Sequence, residues 1–150
     1  MEKEYYGYEQ FIKDCKSLLP QLKQYNPDAL VAIARGGLTM GHLLAHGLNT
    51  NNLYTINSIH YNNTQKLDTF KISNIPDLDS FKKILLIDDI IDSGETIVQI
   101  KQILETKYPD CEFKITTLFY KKEALIQPDF TLYEANNWIN FFWEVDLCNI

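Results

Sequence analysis

The sequence predicts an α/β fold: one domain over residues 1–150, built as a parallel sheet with flanking helices. Two observations carry this expectation. Apolar runs too short for helices, such as Ala29–Ala34 (ALVAIA), alternate along the chain with segments of helical period. Two unusual loops, Arg35-Gly36-Gly37 and Asp88 to Thr96, directly follow such runs. Open parallel sheets hold their ligands there, beyond the carboxyl ends of the strands.

Each element has its own signal. Tyr8, Phe11, Ile12, Cys15, Leu18 and Leu19 follow helical spacing, and Pro20 is expected to end or bend that helix. Ala29 to Ala34 is apolar on both faces, as a central parallel strand is. After Gly37, LTMGHLLAHGL reads as a short helix closed near Gly47. Leu53 to Ile59 reads as a second strand, Ile84 to Ile87 as a third, and Phe113 to Tyr120 as a fourth. Ile97, Ile100 and Leu104 mark the inner face of the helix after the third strand. Between His60 and Asn74 the chain is polar and aperiodic, which suggests a long loop or flap. The tail from Ala124 is rich in aromatics, including Phe130, Tyr133, Trp138, Phe141, Phe142 and Trp143.

The bulk numbers exclude several classes. The 150 residues are 45% hydrophobic and 23% charged, the balance of a globular protein. A net charge of -6 and a pI near 5.0 argue against a general nucleic-acid or anionic-membrane surface. No apolar run approaches the roughly 20 residues that cross a bilayer. The opening MEKEYYGYEQ is polar and lacks the core of a signal peptide. Cys15, Cys111 and Cys148 show no metal spacing, so reduced thiols in a cytoplasm are expected.

The stretch from Ile84 to Thr96 poses the chemical question. A buried strand ends on two adjacent acids, Asp88 and Asp89, although one unpaired buried charge costs on the order of several kcal/mol. The loop that follows, Asp92-Ser93-Gly94-Glu95-Thr96, opens a helix whose free N–H groups and partial positive charge suit a phosphate. Taken alone, that loop fits equally well a capping box made by Asp92 and Glu95. Capping leaves the acid pair unexplained. Adjacent side chains on a strand point to opposite faces, so at the strand end the pair can diverge and grip two groups. Ionised carboxylates accept hydrogen bonds from vicinal hydroxyls, so acids followed by a phosphate cradle spell a ribose 5-phosphate. The alternative is a solvated strand end with one acid paired to a lysine.

At this point the residues carry a resemblance. ILLIDDIIDSGETI resembles the signature of the type I phosphoribosyltransferases, and VAIARGGLTMGHLLA resembles their pyrophosphate loop. The tail, LFYKK followed by WINFFWE, is similar to the 6-oxopurine branch, and most closely to small bacterial xanthine-guanine-hypoxanthine phosphoribosyltransferases. The likeness runs from about Ala29 to Glu144.

This resemblance implies the type I phosphoribosyltransferase fold with a small C-terminal hood. It implies purine salvage: 5-phosphoribosyl 1-pyrophosphate plus guanine, xanthine or hypoxanthine giving a nucleoside 5'-monophosphate such as GMP, and pyrophosphate. Asp88 and Asp89 would bind the ribose hydroxyls, Asp89 through magnesium. Asp92, Ser93, Gly94, Glu95 and Thr96 would hold the 5-phosphate, with Asp92 near purine N7 as general base. Glu95 departs from the small residue common there, so its side chain is expected to face solvent. Arg35, Gly36 and Gly37 would hold pyrophosphate around a peptide that is often strained or cis in relatives. Lys71 joins them from a flap over Tyr61 to Lys71. Lys121 would donate to the purine O6 and reject adenine. Trp138 would stack on the base, with carbonyls near Ile139 reading its 2-position. Trp143 is left to the core, and Glu144 either assists the metal or ends the strand. Homodimers or homotetramers are common in the family.

A non-catalytic nucleotide sensor with the same fold is the competing class, and Arg35-Gly36-Gly37 and Asp92 argue against it. An orotate or pyrimidine enzyme ranks lower, because the Trp138 tail suits purines. His42 and His46 lie four apart on a helix, yet Leu43 stands where a metalloprotease needs glutamate. Cys111 has no partner base for nucleophilic work.

Overall fold

A computed structural model describes residues 2–61 and 69–148. The chain opens with β1 (Lys3–Tyr6) and α1 (Tyr8–Tyr25), followed by β2 (Ala29–Ala34), α2 (Leu38–Gly47) and β3 (Leu53–Tyr61). Next come β4 (Thr69–Ser73), β5 (Lys83–Ile87), β6 (Ile90–Ile91) and α3 (Glu95–Lys107). The last part holds β7 (Glu112–Thr116), β8 (Phe119–Tyr120), β9 (Tyr133–Glu134), β10 (Trp138–Phe141) and the short α4 (Phe142–Val145).

The main sheet has five strands in the order β4-β3-β2-β5-β7. Strands β3, β2, β5 and β7 are parallel, while β4 pairs antiparallel with β3. The sheet is apolar on both faces because successive side chains alternate. Leu30, Leu85 and Ile87 enter one core with Met40 and Leu44 of α2 and Phe11, Leu18 and Leu22 of α1. Val31, Ile33, Ile84 and Leu86 enter the other with Ile97, Ile100 and Leu104 of α3. Each fully buried Leu or Ile of this kind contributes about 1.5–3 kcal/mol.

The order also locates the site. The chain leaves β2 for β3 on one side and leaves β5 for β7 on the other, so the crossovers diverge between β2 and β5. Doubly wound sheets open a ligand crevice at such a switch point. Ala32 pairs with Ile87, which sets the turns after β2 and β5 side by side.

Two small ladders complete the molecule. β1 pairs with β10, and β6, β8 and β9 form a separate parallel sheet. Together they make the expected hood, although β1 and β6 come from outside the C-terminal segment.

The sheet is mostly parallel, as expected, with β4 running antiparallel at its edge. Three expectations need correction. The stretch from His60 to Asn74 is not all loop, because β3 runs on to Tyr61 and β4 occupies Thr69–Ser73; the flap residues 62–68 lie outside the described residues. The fourth strand is broken: Thr117 and Leu118 separate β7 in the main sheet from β8 in the hood. Of the two outcomes expected at Pro20, an end is ruled out: α1 continues, with Leu22 and Tyr25 buried beyond it. The helix stops at Asn26 in the left-handed conformation (φ 55°), whose N–H reaches Leu22 O at 3.0 Å.

Candidate active site

A cleft of about 310 Å³ lies at the switch point. Ala34 and Gly36 form its β2 wall, Asp88 and Asp89 its β5 wall, and Asp92, Ser93, Gly94 and Thr96 the opening of α3. Ser58 of β3 and Glu144 of α4 complete it.

Both acids lie past the last residue of β5, where strand alternation no longer applies. They therefore converge on one cleft instead of diverging to two faces. Asp89 N–H donates to Asp88 Oδ1 at 2.9 Å, and the Asp89 carbonyl accepts from Leu118 and Phe119, so the hood ladder fixes the backbone here. Asp88 keeps a partly exposed edge, yet burial and then the neighbouring Asp89 charge push its pKa well up. Burial also pushes Asp89 up, partly countered by hydrogen bonds around it. Nearby, the Trp143 indole N–H helps hold Asp89 down, though it is buried outside hydrogen-bond geometry to any acceptor. Two acids so poorly compensated mark a place built for donors or a cation.

The loop after β6 settles the capping question. Gly94, not Asp92, is the N-cap of α3, and no side-chain cap forms. Gly94 has φ 86°, a left-handed conformation open to glycine, and a Cβ there would stand 3.0 Å from Leu125 N. Ser93 Oγ accepts from Glu95 N–H at 3.3 Å. The Glu95 side chain is exposed, as the charge argument expects, and borders with Lys121 an adjoining groove that shares Asp92 and Ser93 with the cleft.

Glycines hold the other wall close. A Cβ on Gly36 would lie 2.5 Å from Asp89 Oδ2. One on Gly37 would press into the backbone carbonyls of Ile87 and Ile33. Gly37 N–H is already donated to Ile33 O at 2.8 Å, so its part is packing, and Gly36 with Arg35 is left facing the clefts. The Ala34–Arg35 peptide is cis. Arg35 is exposed and lines an adjoining cleft of about 810 Å³ that shares Gly36 and Glu144 with the first. Burial and Asp89 raise the Glu144 pKa, and Arg35 opposes them.

Lys121 follows β8, and its Nζ lies 2.7 Å from Asp92 Oδ1. The pairing of Ile91 with Tyr120 brings these two strand ends together. Trp138 is 56% exposed at the start of β10, while Ile139 is buried beside it. Trp143 is partly buried against the core and stacks on Phe141 at 4.8 Å. Lys71 lies exposed on β4 and borders neither cleft among the described residues. His42 and His46 sit together on α2, away from the acid pair. Sequence reasoning missed Ser58, which sits inside an ordinary strand pattern and sends no signal.

The geometry thus joins an acid pair, a helix opening and an arginine-glycine turn. The phosphoribosyl transferase domain profile matches residues 1–148. The chain belongs to the phosphoribosyltransferase family. A solved xanthine-guanine-hypoxanthine phosphoribosyltransferase from Helicobacter pylori is 40% identical, with a TM-score of 0.91 over 99% of this chain and 97% of that one. A purine phosphoribosyltransferase from Pyrococcus horikoshii is 29% identical, with a TM-score of 0.85 over 96% and 95% of the two chains. A xanthine-guanine phosphoribosyltransferase from Chromohalobacter salexigens is 28% identical over 96% of this chain and 85% of its own length. No helix among the described residues is long and apolar enough to cross a membrane.

Proposed function

We propose that this chain is a single-domain, cytoplasmic purine salvage enzyme. It transfers the 5-phosphoribosyl group from 5-phosphoribosyl 1-pyrophosphate to N9 of guanine, xanthine or hypoxanthine, releasing pyrophosphate. The observation that carries the base assignment is the 2.7 Å pair between Asp92 and Lys121, which sets a carboxylate and an ammonium at the end of the phosphate loop. A 6-oxopurine matches that pair: its O6 accepts from Lys121, and the N7 side can give a proton to Asp92. Adenine offers an amino group to the ammonium and leaves it unpaired. Relatives named for xanthine, guanine and hypoxanthine support the same reading.

Each residue then has a task. The α3 opening from Ser93 to Thr96 receives the 5-phosphate. Asp88 and Asp89 accept hydrogen bonds from the ribose hydroxyls and favour positive charge building on the sugar as the C1–oxygen bond stretches. Arg35 and the Gly36 backbone receive the departing pyrophosphate. Trp138 offers its exposed ring to the face of the base, with carbonyls near Ile139 at the 2-position.

The donor set fits magnesium of a particular kind. Among the described residues no three metal-binding side chains cluster. Two under-compensated carboxylates suit an ion that takes most of its oxygens from substrate and water, held by Asp89 with Asp88 beside it. When bound, magnesium would offset the negative charge on the leaving pyrophosphate. A homodimer or homotetramer is the expected assembly.

Incubating the protein with the activated sugar, magnesium and each 6-oxopurine should release pyrophosphate. Silence with all three bases would refute the proposal.

A further inference from the structure

Asp14 lies on the inward face of α1, only 3% exposed, among the core residues Phe11, Cys15 and Leu18. None of the steps above uses it. An amphipathic helix would fill that position more readily with an apolar side chain, since a buried carboxylate must recover its lost hydration. Here it does so entirely from neutral donors. Tyr6 Oη donates to Oδ2 at 2.6 Å, while Gln10 Nε2 at 2.9 Å and Tyr133 Oη at 2.7 Å donate to Oδ1. None of the ion pairs among the described residues involves Asp14.

What matters is where two of those donors come from. Tyr6 belongs to β1, whose ladder partner is β10, with Tyr6 opposite Phe141. Tyr133 belongs to β9, which pairs with β8, with Tyr133 opposite Phe119. The two ladders have no strand in common. Trp138 opens β10, and Lys121 directly follows β8. The two halves of the base site therefore stand on separate small sheets, and the Asp14 carboxylate fastens one to the other. An ionised carboxylate can accept from both sides at once, which an amide cannot.

We propose that Asp14 is a positioning residue, fixing the separation of Trp138 and Lys121 through Tyr6 and Tyr133 and thereby setting affinity for the purine base. This inference rests on the base site assigned above. Asp14 touches no substrate and acts only through the two hydroxyls.

Tyr133→Phe and Tyr6→Phe each remove one hydroxyl and keep the ring. The Tyr133 ring can still pack on Phe119 at 5.5 Å, and that of Tyr6 on Phe119 and Phe141 at 5.3 and 5.7 Å. Steady-state kinetics with guanine varied at saturating activated sugar, and the converse, separate the roles. In each variant KM for guanine is expected to rise roughly 3- to 10-fold, with kcat and the KM for the sugar within about twofold of the parent. Asp14→Asn, which sets an amide against a donor, should show the same split more strongly. A purely structural role would lower Tm and leave all kinetic constants unchanged in assays well below it, and that result overturns the inference. An equal loss on both substrates overturns it too. If the unsubstituted chain shows no turnover, the functional reading fails and this inference with it; turnover with an unmoved guanine KM in both Phe variants defeats this inference alone.

Discussion

Lys121 Nζ stands 2.7 Å from Asp92 Oδ1, across the carboxyl ends of two paired strands of the hood. In the proposed reading the contact joins the loop that would cradle phosphate to the residue that would read the base. The pair keeps the ammonium partnered in the ligand-free chain, and in that reading it would present the carboxylate to the purine's imidazole edge. Asp92→Asn keeps the shape and removes the proposed proton acceptor. Its kcat should fall by about 100-fold, while GMP affinity, read by titration calorimetry, changes far less. An unaltered rate would remove Asp92 from the role of general base.

Lys121→Met tests the other partner. It retains the apolar stem, loses the proposed donor to O6 and leaves Asp92 without its cation. KM for guanine should rise at least about 10-fold, with the KM for the activated sugar little changed. An equal rise in both would show that the substitution acts on the loop, not on the base.

The acid pair gives a prediction about pH. Asp88 and Asp89 both have raised pKa values, from burial first and, for Asp88, next from Asp89. A carboxylate raised in the folded state binds more protons there than in the unfolded chain. Stability of the ligand-free protein should therefore fall as pH climbs from the ordinary carboxylate range, about 4, through the folded pKa. Asp88→Asn removes much of that fall, so its Tm at neutral pH should exceed the parent's, while turnover drops for want of a ribose acceptor. Thermal melts across that window, with parallel assays, check both signs.

Gly36→Ala would set a methyl 2.5 Å from Asp89 Oδ2, so the acid or the turn must move. KM for the activated sugar should rise about 10-fold or more, and guanine affinity measured without the sugar should stay close to the parent's. Little change in the sugar KM would show that the turn can yield without cost.

Much of this was legible in the sequence, for physical reasons that also mark where legibility stopped. Strands buried on both faces leave unbroken apolar runs, so β2 and β5 were plain, and the two candidate loops followed from what ended them. The break between Thr116 and Phe119 was hidden because both pieces are apolar, and only their sheet partners differ. Pro20 left open whether the helix ends or bends, because burial of Leu22 and Tyr25 beyond it is a tertiary effect that the local sequence does not show. Alternation predicted diverging acids, but Asp88 and Asp89 fall after the ladder ends. The Asp92–Lys121 pair and the Asp14 clamp join residues remote in the chain, and no local pattern announces them.

The measurement that bears most directly on the account is a crystal structure of the chain with bound GMP. The 5'-phosphate is expected on the amides of Ser93 to Thr96, the ribose hydroxyls on Asp88 and Asp89, and O6 on Lys121. A nucleotide whose phosphate and sugar lie away from that turn would contradict it.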